Sequence, residues 1–240
     1  MYVEKPDAAK RFAVALKRRT QLLGRVEVVL VPPFTLLAPM SALFPKNKTV
    51  RLGAQTVSKF TDKPHTGDIS AGMLKALGVS TVIVGHSERR QAGEDDEMVR
   101  AQVVTAQGAG LSVVLCVGEK ERDPAGAHFS GIEKQLSTAL KGAVPNKVVV
   151  AYEPVWAIGK TAAEAMKPQD LEEMVIFIRK TLADLFGRPA ALKIPIIYGG
   201  SVEGSNASEL LQDGGVAGFL VGHASAEADT FIEIINACLK

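Results

Sequence analysis

Residues 148–162 read Val-Val-Val-Ala-Tyr-Glu-Pro-Val-Trp-Ala-Ile-Gly-Lys-Thr-Ala. The first four are apolar and predict a strand buried on both faces, as in a parallel sheet covered by helices. Glu153 stands at the carboxyl end of this strand, and Pro154 favours an extended backbone before it and prevents direct entry into a helix. The loop that follows holds Trp156 and Gly159 and ends in small residues, which is typical of a lid over a ligand. Alone, the segment leaves two interpretations open, a catalytic carboxylate under a lid or a surface acid before a turn.

The composition of the whole sequence indicates one large domain over residues 1–240. Of these residues 47% are hydrophobic and 22% charged, and the net charge is +2, which is sufficient for a single core. Basic residues are scattered and aromatic residues make up 5%, so no nucleic-acid partner is expected. No apolar segment approaches the roughly 20 residues that a membrane-spanning helix needs, so no membrane partner is expected. Cys116 and Cys238 lack disulfide-framework or metal-ligand spacing, which favours a reducing, cytoplasmic location.

Apolar periodicity predicts that strands and helices alternate along the chain. The seven predicted strands are residues 26–31, 51–54, 81–84, 112–117, 148–151, 194–198 and 218–221. The eight predicted helices are residues 6–23, 35–43, 70–77, 95–107, 132–140, 169–186, 207–212 and 230–239. Such alternation favours a parallel sheet with right-handed crossovers. An open doubly wound sheet would normally show a G-x-G-x-x-G turn, which this sequence lacks, whereas the length suits a (β/α)₈ barrel of about 250 residues. We therefore expect an α/β fold of the TIM-barrel type.

Residues that follow the predicted strands are the candidates for chemistry, because the active sites of such barrels lie at the carboxyl ends of the strands. They are Gln55, His86, Glu88, Glu153, Gly199, Gly200, Ser201, Gly222 and His223. A carboxylate and an imidazole from different strands can divide proton transfer at carbon from polarisation of a carbonyl oxygen. The Gly-Gly-Ser and Val-Gly-His turns offer backbone N–H groups to a phosphate. Each feature also occurs in purely structural turns, so the residues alone leave that reading open.

Three long motifs carry a family resemblance. Residues 84–90 read Val-Gly-His-Ser-Glu-Arg-Arg, residues 151–159 read Ala-Tyr-Glu-Pro-Val-Trp-Ala-Ile-Gly, and residues 197–202 read Ile-Tyr-Gly-Gly-Ser-Val. Together, and in this order, they resemble the motifs of triosephosphate isomerase over nearly the whole chain. The resemblance implies interconversion of glyceraldehyde 3-phosphate and dihydroxyacetone phosphate, a step of glycolysis and gluconeogenesis. It implies a small triose phosphate as partner, and neither a cofactor nor a metal ion.

The resemblance also assigns roles to individual residues. Glu153 would be the base that moves a proton between the two carbons, and Glu88 would organise the site. His86 would be the neutral electrophile, with its pKa lowered by a helix N-terminus, which is the arrangement known for the family. The lid would comprise Pro154, Val155, Trp156, Ala157, Ile158, Gly159, Lys160, Thr161 and Ala162.

The phosphate site implied by the resemblance consists of backbone N–H groups of Gly159, Ser201 and Gly222. His223 stands where the family usually has a second glycine. Its side chain would crowd the phosphate, add charge to it when protonated, or turn out to solvent, and the sequence leaves these three alternatives open.

The beginning of the chain departs from the family pattern. Family members begin with a strand ending in Asn-x-Lys-Met, and this sequence begins Met1-Tyr2-Val3. We therefore expect the first β-strand to be missing, together with the lysine that faces the developing oxyanion and pairs with Glu88. Removing one preorganised oxyanion donor costs on the order of 10²–10³ in rate, so activity is expected to be low or absent. The alternatives are an active isomerase that begins further upstream and an inactive barrel acting as a scaffold or assembly subunit.

A missing first strand would leave two sheet edges open, at residues 26–31 and 218–221. Open edges of apolar strands invite pairing with another chain. Residues 55–68 also resemble the family's dimer loop in length. We expect a homo-oligomer, formed through the open edges or through this loop.

Overall fold

A computed structural model describes residues 5–19, 26–44, 50–61, 64–160 and 165–239. Its centre is a six-stranded sheet in which every strand pairs in parallel with its neighbours in chain order. The strands are β1 (Val28–Leu30), β2 (Val50–Ala54), β3 (Val79–Val84), β4 (Ser112–Val117), β5 (Val148–Tyr152) and β6 (Ile196–Tyr198). The α/β class and the parallel sheet expected from the sequence are confirmed, and the sheet order is that of a partial TIM barrel.

Helices lie before, between and after the strands. Within the described ranges they are α1 (Pro6–Lys17), α2 (Phe34–Leu43), α3 (Ala71–Ala76), α4 (Ser87–Gln91), α5 (Asp96–Gly108), α6 (Ala127–Ala139), α7 (Pro168–Phe186), α8 (Arg188–Ala191), α9 (Ala207–Asp213) and α10 (Ala228–Ala237). Each of the eight predicted helices has a counterpart. The short helices α4 and α8 were not predicted, because five and four residues are too few for a periodic apolar pattern. The predicted extension of the first helix to residue 23 is wrong at residues 18–19, which form a turn, and residues 20–23 lie outside the described residues.

The seventh predicted strand, residues 218–221, is present only as a single parallel bridge between Phe219 and Tyr198. Two backbone bonds support it: Tyr198 N donates to Gly218 O at 3.0 Å, and Leu220 N donates to Tyr198 O at 2.8 Å. Gly218 is the first residue of the segment and Gly222 follows it, which leaves only three apolar residues to form a strand, and glycine weakens strands. Among the described residues, β1 pairs with no strand other than β2. The absence of a first strand stays a prediction, since residues 1–4 lie outside the description.

Alternation along the strands divides the core into two sides. Residues such as Val84, Leu115 and Val150 pack between the sheet and the helices. Their neighbours Ile83, Cys116 and Ala151 form a small separate cluster on the other face, the inner side of the curved sheet. Strands buried on both faces explain the nearly continuous apolar runs in the sequence. Because all the strands are parallel, their carboxyl ends lie at the same end of the sheet, and the candidate residues are located in the loops that follow these ends.

The longest helix, α7, shows why the outer layer forms. Its buried residues recur every three or four positions, Leu171, Met174, Val175, Ile178 and Leu182 among them, which is the spacing of one helical face. Pro168 begins the helix, and Gly187 ends it with φ of +79°, a left-handed value that glycine adopts without strain. No helix in the described ranges is long and apolar enough to cross a membrane.

Candidate active site

Glu153 follows β5 and faces the inner side of the sheet, because the preceding Tyr152 packs towards the helices. The Glu153 side chain is 3% exposed, and its backbone N–H donates to Val117 O at 2.8 Å. Gly199, after β6, packs against it so closely that an added Cβ would lie 2.6 Å from Glu153 Cγ. The alternative of a surface acid before a turn is therefore wrong. This carboxylate is buried at the point where three strands end.

His86 meets that carboxylate from the end of β3. The His86 Nε2 atom lies 3.2 Å from Glu153 Oε1, and the N–H of Ser87 donates to Glu153 Oε2 at 3.3 Å. On the other side of the ring, Nδ1 accepts from the N–H of Glu88 at 3.3 Å and so caps α4. Because Nδ1 accepts, the proton of the neutral imidazole is on Nε2, where it points at Glu153. The acid and the imidazole predicted from separate motifs are thus brought together.

The charge of Glu153 controls the ionisation of its neighbours. Burial lowers the pKa of His86, but the hydrogen bond and charge of Glu153 and the charge of Glu88 outweigh it and raise that pKa above 6.5. The lowered pKa expected at a helix N-terminus is therefore wrong for this structure, since the cap is present but the carboxylate contact dominates. Burial, reinforced by Glu153, raises the pKa of the Cys116 thiol well above its ordinary value. Cys116 therefore lines the site as a protonated thiol.

Glu88 reaches the site through its backbone. Its N–H contacts His86, but its side chain is exposed and forms no ion pair with a residue in the described ranges. The expected organising role of its carboxylate stays a prediction.

The described residues also include no group of three or more His, Cys, Asp or Glu that could hold a metal ion.

The loop after Glu153 is held at its start by Glu119, a residue that the sequence reasoning missed. Val155 N donates to Glu119 O at 2.9 Å, and Trp156 Nε1 donates to Glu119 Oε1 at 2.8 Å. The same oxygen accepts from Tyr152 Oη at 2.9 Å. The only signal for Glu119 in the sequence is that an acid lies two residues beyond the predicted strand 112–117, and Glu119 was not among the predicted site residues.

Ser201 holds the middle of the loop. Its Oγ donates to Ala157 O and accepts from Lys160 N, both at 3.0 Å. Between these two anchors Gly159 adopts φ of +71° and is exposed together with Ile158. Of the nine predicted lid residues, Thr161 and Ala162 lie outside the described residues. The structure thus brings Ser201 and residues 157–160 together.

Gly222 and His223 lie beside the Ser201 loop by topology. The bridge between Tyr198 and Phe219 makes the two following loops leave the sheet side by side. Both Gly222 and His223 are exposed, and His223 begins a 3₁₀ turn, His223–Ser225. Their contact with a phosphate, and the choice among the three positions for the His223 side chain, stay predictions.

Comparison with known proteins gives one consistent family. The family model described as triosephosphate isomerase matches residues 1–238. The triosephosphate isomerase of Gluconacetobacter diazotrophicus is 45% identical over 215 residues, covering 89% of this chain and 85% of the relative. That of Halorhodospira halophila is 40% identical over 240 residues, covering 98% and 93%.

A solved structure agrees with these relatives. The crystal structure of triosephosphate isomerase from Bartonella henselae superposes with a TM-score of 0.84 at 36% identity, covering 99% of this chain and 95% of that one. The comparisons lend no support to the expected low activity or to the alternative scaffold role.

Proposed function

This chain belongs to the triosephosphate isomerase family, as its three motifs predicted, and we propose that it interconverts glyceraldehyde 3-phosphate and dihydroxyacetone phosphate. The observation that carries the proposal is the pair of Glu153 Oε1 and His86 Nε2, 3.2 Å apart at the ends of two strands. Proton transfer at carbon needs a base, and the developing oxyanion needs a donor. The pair contains both.

In the proposed mechanism, Glu153 removes a proton from the carbon beside the substrate carbonyl. His86 donates a hydrogen bond from Nε2–H to the carbonyl oxygen, so that the electrons of the broken C–H bond form the C=C bond of an enediolate whose negative oxygen this bond stabilises. The protonated Glu153 then returns the proton to the neighbouring carbon. His86 Nε2 gives its proton to the oxygen that carries the negative charge and takes the hydroxyl proton from the other oxygen, which completes the isomerisation. In the free structure the two Glu153 oxygens are engaged by His86 and Ser87. Substrate therefore has to displace the carboxylate from these contacts.

The phosphate is assigned to the backbone N–H groups of Gly159, Ser201 and Gly222. The Ser201 contacts with the loop at 3.0 Å support this assignment, because closure of residues 154–162 over a phosphate would bring these donors together and exclude water. His223, next to Gly222, adds positive charge to this end of the site when protonated.

The test is turnover of glyceraldehyde 3-phosphate, coupled to reduction of dihydroxyacetone phosphate. Glu153→Gln keeps the shape of the side chain and removes the base, and a loss on the order of 10²–10⁴ in kcat is expected. Glu133→Gln, an exposed change on α6, is the matched control and should leave kcat unchanged. A folded protein with no turnover, or full activity in the Glu153 variant, would refute the proposal.

The protein is also proposed to be a cytoplasmic homo-oligomer. Cys116 and Cys238 are free thiols in the structure, as expected in a reducing compartment. In the loop of residues 55–68, of which 62 and 63 lie outside the description, Phe60 is 38% exposed and stacks on His65 at 3.4 Å. An exposed aromatic residue stacked on a neighbouring ring suits a contact between copies. The open edges at β1 and Phe219 are the other route.

Light scattering distinguishes these routes to assembly. Phe60→Ser should shift the oligomer towards monomer if the loop forms the contact, whereas Met73→Ser, an equally apolar and more exposed position on α3, should not. An oligomer that is unaffected by Phe60→Ser would point to the open edges. A monomer at every concentration would contradict the assembly proposal.

A further inference from the structure

A cleft of about 400 Å³ lies behind the lid, and it borders the Glu153–His86 pair through Ser87. Its walls are α4, the loop that follows β4, and α6, with Val155 at one end. The Arg90, Glu119, Lys120 and His128 side chains line it together with Gly131. None of the roles proposed above uses this space.

The cleft is lined by buried polar atoms that have no hydrogen-bond partner among the described residues. Glu119 is 7% exposed, and its Oε2 is unpartnered although its Oε1 accepts two bonds. Both ring nitrogens of His128 and the Nη2 of Arg90 are unpartnered as well. Buried polar groups are nearly always satisfied in native proteins, so several unsatisfied groups around one cleft need an explanation. The three residues that carry these atoms, Glu119, His128 and Arg90, all line the cleft and supply both acceptors and donors.

The charges around the cleft are mixed. Arg90 is paired with Asp96 at 2.6 Å, Glu119 is acidic, and Lys120 is basic and exposed. The Glu119 carboxylate would repel a simple anion, and Arg90 and Lys120 would repel a simple cation. A ligand that carries both an ammonium and a carboxylate satisfies both sets.

We propose that this cleft binds a small zwitterion of the α-amino acid class. Its ammonium donates to Glu119 Oε2, and its carboxylate accepts from His128 and from Nη2 of Arg90. Glu119 Oε2, Arg90 Nη2 and the protonated ring nitrogen of His128 then each gain a charge-assisted hydrogen bond.

Binding in the cleft would act on the lid through Glu119. The backbone oxygen of this residue holds Val155 at 2.9 Å, and its Oε1 holds Trp156 at 2.8 Å. A ligand on Oε2 stiffens the group to which the start of the lid is tied. Turnover should therefore change when the cleft is occupied. This regulatory part rests on the proposed function, whereas the binding itself does not.

The experiment is a melting scan of the full chain with each of the common L-amino acids at millimolar concentration. At least one should raise the melting temperature by about 2–4 °C once its concentration is several times its Kd. It should also shift the amide signals of Gly118 and Gly131 in the NMR spectrum.

Two variants locate the binding. Gly131→Phe fills the cleft from α6, where an added Cβ meets no atom within 4 Å, and should abolish the temperature shift. Gly108→Phe, at an equally open glycine of α5, should keep it. His128→Leu should weaken binding at least tenfold, the loss of about one charge-assisted hydrogen bond.

Three results would overturn the inference or its parts. If no amino acid shifts either the melting temperature or the two amides, the cleft takes no zwitterion. If a shift persists in both Gly131→Phe and His128→Leu, the amino acid binds elsewhere. If binding is found and triose phosphate turnover is measurable but unaffected, the coupling to the lid is wrong. A chain that binds an amino acid but turns over no triose phosphate would instead refute the proposed function alone.

Discussion

Replacing Gly199 by alanine tests how tightly the fold positions the carboxylate of Glu153. An ideal Cβ on Gly199 lies 2.6 Å from Glu153 Cγ and 3.3 Å from Oε1. Ordinary van der Waals contact begins at about 3.4 Å, so Glu153 has to retreat by roughly 0.8 Å. The Glu153 side chain is 3% exposed and is held by His86 and Ser87. Its retreat therefore disrupts the contacts of the carboxylate with these two residues.

The expected cost falls on catalysis more than on folding. A displacement of about 1 Å in a reacting group costs on the order of 10²-fold in rate, and we expect that loss in kcat/KM of Gly199→Ala. Overpacking by one methyl group destabilises a core by about 1–3 kcal/mol, so the variant stays folded if the parent has ordinary stability.

The assay compares kcat/KM for glyceraldehyde 3-phosphate with urea denaturation of the same preparations. Gly108→Ala is the matched control, because its added methyl group meets no atom within 4 Å, and its kcat/KM should equal that of the parent. A folded Gly199→Ala protein with the parent's kcat/KM would refute the packing argument. Equal losses of rate in both variants would do the same.

Other expectations follow from the same contacts. Glu153→Gln removes the charge of Glu153, which raises the pKa of His86, and leaves the opposing effect of burial and the charge of Glu88, so the pKa of His86 measured by NMR should fall relative to the parent. In the parent, the raised pKa means that His86 stabilises the fold fully below pH 6.5 and less as pH rises through the folded-state pKa; urea melts across this range should lose that slope in Glu153→Gln. Ser201→Ala removes both 3.0 Å bonds to the loop and should speed amide exchange at Lys160, while unchanged exchange would show that the loop is held otherwise. Gly131→Ala should raise the free energy of unfolding by about 0.5–1 kcal/mol, since the helix gains propensity without a clash; a decrease in urea denaturation would contradict this.

Local patterns predicted much of this molecule. The apolar run of β5 and the proline after Glu153 placed an acid at a strand end, and the spacing in α7 predicted a helix with one buried face. These signals are local, because alternation and helical periodicity are properties of neighbouring residues. The predicted length of the seventh strand was too great, because only Phe219 forms a bridge to β6. Pairing with β6 decides this length, and the three apolar residues of the segment do not.

The sequence by itself determined the order of strands and helices and the family, and it determined that Glu153, His86 and Ser201 follow strand ends. Only the tertiary structure decided that Glu153 and His86 lie 3.2 Å apart, that Glu119 holds the loop, and that Gly199 has no room for a side chain. Such contacts join residues far apart in the chain, and burial sets their energies. A pattern read along the chain includes neither distance nor burial, and for this reason the direction of the His86 pKa shift emerged only from the folded structure.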